Sequence, residues 1–104
     1  MNRNDRTVSI MNSVRLFCMD QGFRERALRA GELQLGSIVM YTHFASSQGR
    51  IYLERLGERN RKIETRILPV RIVGHDGMQE EVSRLQDCVL RTLREWVEEI
   101  RRTN

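Results

Sequence analysis

Apolar side chains recur at helical spacing between residues 82 and 100, and this stripe constrains the fold more than any other feature of the sequence. Successive members of the stripe are three or four positions apart: Val82, Leu85, Val89, Leu93, Trp96 and Ile100. This spacing is typical of an amphipathic helix with one face in a core. Leu90 and Val97 widen the stripe on one side. The sequence therefore predicts a long C-terminal helix that contacts the core and a second surface.

The ends of this helix carry matching signals. Asp76 precedes Gln79 by three residues, which is typical of a capping box with Asp76 as the N-cap. Glu80 and Glu81 follow in the first turn, and Arg101–Arg102 fall in the last. Charges of these signs complement the helix dipole at both ends.

Two further helices are predicted in the N-terminal third of the chain. The first spans residues 5–20, with Asp5 or Thr7 as N-cap. Its core face comprises Ile10, Met11, Val14, Phe17 and Cys18. A second, short helix is expected over Phe23–Glu32, where it would bury Phe23, Ala27 and Ala30.

The period changes to two after Gly36. Residues 38–44 form a β-branched and aromatic run in which Ile38, Met40, Thr42 and Phe44 alternate with Val39, Tyr41 and His43. This run predicts a strand, followed by a turn at 46–49. Residues 50–56 fit a strand or a short helix, and 58–62 a hairpin tip. A third strand over 63–73 contains Pro69, so it is expected to be an edge strand or to carry a bulge at Leu68–Pro69.

These elements predict an α+β fold of order ααβββα, a three-stranded antiparallel meander packed by helices. With 104 residues and 39% apolar content, we expect one small domain over residues 1–104. No run of about 18 apolar residues occurs, so no membrane span is predicted. The N-terminus lacks the apolar segment of a signal peptide, and we expect a cytoplasmic protein with reduced cysteines.

Motifs of catalysis and metal binding are missing from the sequence. The candidate metal ligands Cys18, His43, His75 and Cys88 are isolated, whereas zinc ligands usually come in close pairs. Neither histidine belongs to a recognised nucleophile–base motif. The seven glycines are scattered and form no phosphate loop. We therefore predict a non-enzymatic protein without a metal or another cofactor.

Positive charge is concentrated in the predicted hairpin. Residues 50–71 contain seven basic and three acidic residues, an excess of four that equals the net charge of the whole chain, +4. The candidate contacts with nucleic acid or another partner are Arg50, Arg55, Arg59, Arg61, Lys62, Arg66 and Tyr52. A basic ribbon with a nearby aromatic side chain suits phosphate backbones. The alternative is a solvated edge hairpin whose Arg and Glu residues pair across strands.

Part of the chain resembles the DNA-binding helix-turn-helix of the tetracycline-repressor type. The segment IMNSVRLFCMDQGF, residues 10–23, is similar to that family's first helix, and Ala30-Gly31 and residues 36–46 are similar to pieces of its recognition segment. Only residues 24–29 separate the first two pieces, which is too short for the family's second helix and turn. The resemblance covers fewer than half of the residues, and we assign no family from it.

Apolar helix positions outside the predicted core offer a second kind of surface, formed by Leu16, Met19, Leu90 and Val97. They could form a homodimer face or a docking site for a larger protein, or pack against the neighbouring short helix. The sequence thus favours an accessory or regulatory protein that contacts nucleic acid through the Arg-rich hairpin. The alternative is a phage- or plasmid-type modulator or inhibitor of a host protein complex, bound through these apolar positions and Arg anchors.

Overall fold

The chain begins with a helix whose apolar residues recur at helical spacing, as predicted. A computed structural model describes residues 2–103 and places α1 at Arg3–Asp20. The side chain of Asn2, rather than Asp5 or Thr7, caps this helix by accepting a hydrogen bond from the Asp5 N–H at 2.8 Å. Thr7 lies inside the helix, where its hydroxyl donates to the Arg3 carbonyl. The helix therefore begins two residues earlier than predicted.

A five-stranded antiparallel sheet follows, and its strands are neighbours in chain order. The strands are β1 (Arg24–Arg26), β2 (Arg29–Leu35), β3 (Ile38–Ala45), β4 (Gln48–Leu56) and β5 (Lys62–Pro69). The helix α2 (Met78–Thr103) completes the fold. The protein is thus a small α+β domain, but the order is α, five strands, α rather than ααβββα.

The predicted second helix over Phe23–Glu32 is wrong, because this segment forms the β1–β2 hairpin. Leu33 and Leu35 alternate toward the core opposite Met40 and Ile38, which extends the meander by two strands. Phe23 is buried as predicted, whereas Ala27 and Ala30 are exposed. Tertiary pairing overrides the helix propensity of the Arg and Glu residues here, because the pairing of β2 with β3 buries Leu33 in the core, whereas the predicted helix would have added only two alanines to the buried Phe23.

The remaining three strands have the order of the predicted meander but different bounds: β4 begins at Gln48, inside the predicted turn at 46–49, and β5 ends at Pro69 instead of at residue 73. Residues 50–56 form a strand, and residues 58–60 form a 3₁₀ turn at the tip of the β4–β5 hairpin. The strand β5 lies at the sheet edge, as Pro69 predicts. The β-bulge lies at the opposite end of the strand pair, between Arg55 and Leu56, rather than at Leu68–Pro69.

The start of α2 differs from the predicted capping box. Asp76 lies in a 3₁₀ turn (His75–Gly77) before the helix and is exposed. Glu81, in the first helical turn, is buried and accepts hydrogen bonds from the Arg71 N–H at 2.5 Å and from Arg84 Nε at 2.7 Å. This carboxylate thereby joins the N-terminus of α2 to the segment that leaves β5.

Both helices pack on one face of the sheet. The core there contains alternate strand residues such as Met40, Ile51 and Leu53, together with Val14 of α1 and Trp96 of α2, all fully buried. Among the described residues, neither helix packs on the opposite face, which we call the helix-free face; Val39 and Glu54 on this face are nevertheless buried. Within residues 2–103, neither helix is long and apolar enough to cross a membrane.

Candidate nucleic-acid interface

The alternation of side chains along the strands divides the predicted basic set between the two sheet faces. Arg55 lies opposite Ile38, and Arg66 lies opposite Leu53, so both share the face on which the helices pack. Arg50 and Tyr52 fall on the helix-free face, opposite His43 and Tyr41. A one-residue step in a strand changes the face, and the sequence pattern of the hairpin did not reveal this division.

Arg55 and Arg66 connect the sheet to α2. Arg55 Nη2 lies 2.9 Å from Glu99 Oε2, and Arg66 Nη1 lies 2.6 Å from Glu95 Oε2. The Arg66 guanidinium also lies 5.6 Å from the centre of the Trp96 ring. These contacts engage both arginines within the protein, so we remove them from the set of candidate contacts.

A stacked tyrosine pair lies at the centre of the helix-free face. The ring centroids of Tyr41 and Tyr52 are 4.8 Å apart, and the ring planes are 8° from parallel. On the other side of Tyr52, its partner in β5 is Ile67, whose exposed fraction is 51%. Tyr52 and Ile67 therefore form an apolar strip beside the exposed Arg50.

A buried carboxylate lies next to this pair. Glu54 is 4% exposed, and its Oε1 atom accepts a hydrogen bond from Tyr41 Oη at 2.7 Å and lies 3.1 Å from Lys62 Nζ. Burial and the hydrogen bond to Glu54 raise the pKa of Tyr41 above its ordinary value. Lys62 is therefore partly neutralised by Glu54, although its side chain remains 65% exposed.

The β1–β2 hairpin contributes further charged groups that the sequence analysis missed, because a helix was predicted there. Arg26 Nη1 lies 2.7 Å from Glu32 Oε1, and Arg29 is exposed. We call the small cavity that these residues line the polar pocket. Its complete lining is Arg26, Arg29, Glu32, Tyr41, Glu54, Leu56, Asn60 and Lys62.

The hairpin tip carries two exposed arginines, Arg59 and Arg61. Arg59 and Asn60 have positive φ angles of 57° and 59°, which turn the chain sharply between β4 and β5. Arg59 and Arg61 also line a groove with Lys62 and Ile63. The tip thus projects its arginines beyond the end of the sheet.

The structure also changes the balance of charge that the sequence indicated for residues 50–71, all of which are described. Of the three acidic residues, Glu54 is buried and paired, and Glu64 accepts a hydrogen bond from Trp96 Nε1 on the helix side. Glu58 alone is exposed, at the tip. Arg55 and Arg66 are paired with α2 and Lys62 with Glu54, so the positive charge left outside these ion pairs on the proposed site is that of Arg50, Arg59 and Arg61.

The predicted apolar surface is brought together only in part. Leu90 and Val97 line a mainly apolar groove. Its other lining residues are Gln21, Leu35, Leu93, Arg94, Glu95, Glu98 and Arg101. Leu16 is 62% exposed on α1 but does not line this groove. Met19 is half-buried and packs against the core.

Residues 2–103 contain no group of three His, Cys, Asp or Glu side chains that could hold a metal ion. Cys18 is buried, and burial raises the pKa of its thiol to about 12, which disfavours the nucleophilic thiolate.

No protein-family model, curated protein or solved structure matches the chain.

Proposed function

We propose that this protein is a non-enzymatic accessory or regulatory protein that binds single-stranded nucleic acid on the helix-free face of its sheet. The observation that carries the proposal is the position of Tyr52, which lies on this open face between Tyr41 and Ile67 and beside Arg50. Single-stranded nucleic acid is bound by such combinations of aromatic side chains and basic groups, because every base offers a face for stacking.

Each group has a separate role in this proposal. Tyr52 and Ile67 provide the apolar strip against which a base packs. Arg50 at one end of the strip, and Arg59 and Arg61 at the hairpin tip, contact phosphates on either side. Because these arginines are exposed, their contacts would displace counterions without breaking ion pairs of the fold.

The test is a titration of a fluorescent single-stranded oligonucleotide over a series of salt concentrations. The triple variant Arg50→Ala, Arg59→Ala, Arg61→Ala should lose most of the affinity at low salt. Its plot of log affinity against log salt should be flatter by about 0.7 for each phosphate contact removed. Lys62 stays unchanged, because its removal would leave the buried Glu54 carboxylate without its ion pair.

A matched control removes the same charge from α2. Arg91, Arg94 and Arg101 are exposed on the helical side, and their triple alanine variant should retain the wild-type affinity and salt slope. Equal losses in both triple variants would show a contribution of net charge alone. Wild-type protein that binds neither single-stranded DNA nor single-stranded RNA at low salt would overturn the proposal.

The apolar groove on α2 supports a second candidate function, namely binding and modulation of a larger protein. Its lining includes the apolar side chains of Leu90, Leu93 and Val97 together with acidic and basic side chains. Val97→Glu should abolish capture of a defined partner from the native host, while nuclease treatment should have no effect. Under the first proposal, nuclease should instead remove the captured macromolecules, and Val97→Glu should be silent.

A further inference from the structure

The polar pocket beside the tyrosine pair presents an unusual set of hydrogen-bonding groups. Two carboxylates line it, and each has already committed one oxygen: Glu54 Oε1 to Tyr41 and Lys62, and Glu32 Oε1 to Arg26. The other oxygen of each carboxylate, Oε2, has no hydrogen bond in the described structure. Neither of these two oxygens is among the fully buried side-chain atoms that lack a partner. These two oxygens are the remaining acceptors of the two carboxylates that line the pocket, of which Glu54 is 4% exposed and Glu32 is half-buried.

The same pocket also holds a hydrogen-bond donor. Arg29 is exposed on its rim and forms no ion pair within residues 2–103, in contrast to Arg26. The pocket therefore combines two free carboxylate acceptors with a guanidinium donor, beside Tyr41. Tyr41 and Lys62 fix Glu54 in place, so the acceptor of Glu54 is preorganised.

We infer that the polar pocket selects guanine in a bound single strand; this inference rests on the proposed function. The Watson–Crick edge of guanine presents two adjacent donors, N1–H and the N2 amino group, next to the O6 acceptor. The donors match the free oxygens of Glu32 and Glu54, and O6 matches Arg29. Adenine and cytosine instead present ring-nitrogen acceptors at this edge, and uracil presents one donor between two acceptors.

Mismatch at this site is costly because a carboxylate facing an acceptor atom is repelled and loses its hydrogen bond to water. The Tyr41–Tyr52 pair next to the pocket would stack the neighbouring base of the strand. The phosphate contacts would thus set the overall affinity, while the pocket would discriminate between bases. Unpaired bases expose the edge that this discrimination needs, whereas a duplex hides it.

The experiment uses the full chain and short oligouridine strands with one central position changed to guanine, adenine, cytosine or inosine. Wild-type protein should bind the guanine strand about tenfold more tightly than the unsubstituted strand, the difference expected for one well-placed pair of hydrogen bonds. Inosine lacks the N2 amino group but retains N1–H and O6, so its affinity should be intermediate. Equal binding of all strands, or preference for another base, would overturn the guanine pocket and leave the proposed function intact.

Two variants test the residues. Glu54→Gln should remove most of the guanine preference. Its affinity for oligouridine should not fall, because the substitution removes a negative charge and releases Lys62 from its ion pair. If Glu54→Gln fails to fold, Glu32→Gln gives the same test, because Glu32 is only half-buried and is engaged at one oxygen. A guanine preference that survives in the folded variant would contradict the role of the pocket. Absence of any binding by wild type would overturn the proposed function together with this inference.

Discussion

Trp96 is the residue that joins the predicted stripe of α2 to the sheet. It is fully buried, its indole N–H donates to Glu64, and Arg66 lies over its ring. Trp96→Ala should lower the free energy of unfolding by about 3–5 kcal/mol, because it removes a large buried side chain and leaves a cavity. Denaturant titration measures this change. Arg91→Ala, at an exposed position of the same helix, is the control and should change little; a stable Trp96→Ala protein would contradict the packing.

The two cysteines differ in how far their side chains are buried, and their reactivity should differ accordingly. Cys18 is buried and Cys88 is half-buried, so only Cys18 is fully shielded from thiol reagents. With its pKa raised to about 12 by burial, Cys18 carries almost no thiolate near pH 8. In a Cys88→Ser variant, a disulfide reagent should modify Cys18 slowly until denaturant is added. Modification as fast as that of free cysteine would show that Cys18 is accessible.

At the scale of elements, the β3–β4 turn is closed by residues in an unfavourable conformation. Ser46 and Ser47 have φ angles of 53° and 61°, in the left-handed region that glycine and asparagine adopt most readily. Ser47→Gly should therefore raise the unfolding free energy by about 0.5–1 kcal/mol. Thermal unfolding measures the gain. Ser47→Ala is the control and should not stabilise, since its Cβ keeps the strain; an unchanged Ser47→Gly melting temperature would contradict the turn geometry.

At the scale of the whole molecule, Glu81 links stability to pH. Burial alone would raise its pKa, but hydrogen bonds from Arg84 and from the Arg71 N–H hold the pKa of the carboxyl below its ordinary value of 4.5. A lowered pKa in the folded state contributes stability above pH 4.5, and this contribution is lost as the pH falls through the folded pKa. Glu81→Gln should accordingly be less stable than wild type at pH 7.

The difference between wild type and Glu81→Gln should shrink below pH 4.5 as Glu81 becomes protonated. Urea titrations of both proteins from neutral to acidic pH measure it. The variant Glu80→Gln changes the neighbouring exposed carboxylate and serves as the control. A difference that stays constant down to the lowest pH at which both proteins fold would show that Glu81 acts through packing rather than through its charge.

The sequence by itself determined α1, α2 and β3, because each depends on information local to the segment. The spacing from Val82 to Ile100 specifies a helical face, and the alternation over residues 38–44 specifies a strand. Pro69 lacks an N–H group, which restricts its strand to a sheet edge or a bulge, and the structure places β5 at the edge. These signals hold whatever the rest of the chain does.

Only the tertiary structure decided the β1–β2 hairpin and the composition of the candidate site. Residues 24–35 have a helix-compatible local sequence and become strands because Leu33 and Leu35 pair with β3 over the core. The sheet then separates Arg55 and Arg66, which bind Glu99 and Glu95 of α2, from the basic residues that remain exposed. It also brings Glu32 and Glu54 to one pocket across 22 residues of sequence. Such contacts depend on strand order and register, which join segments distant in the chain and leave no local pattern.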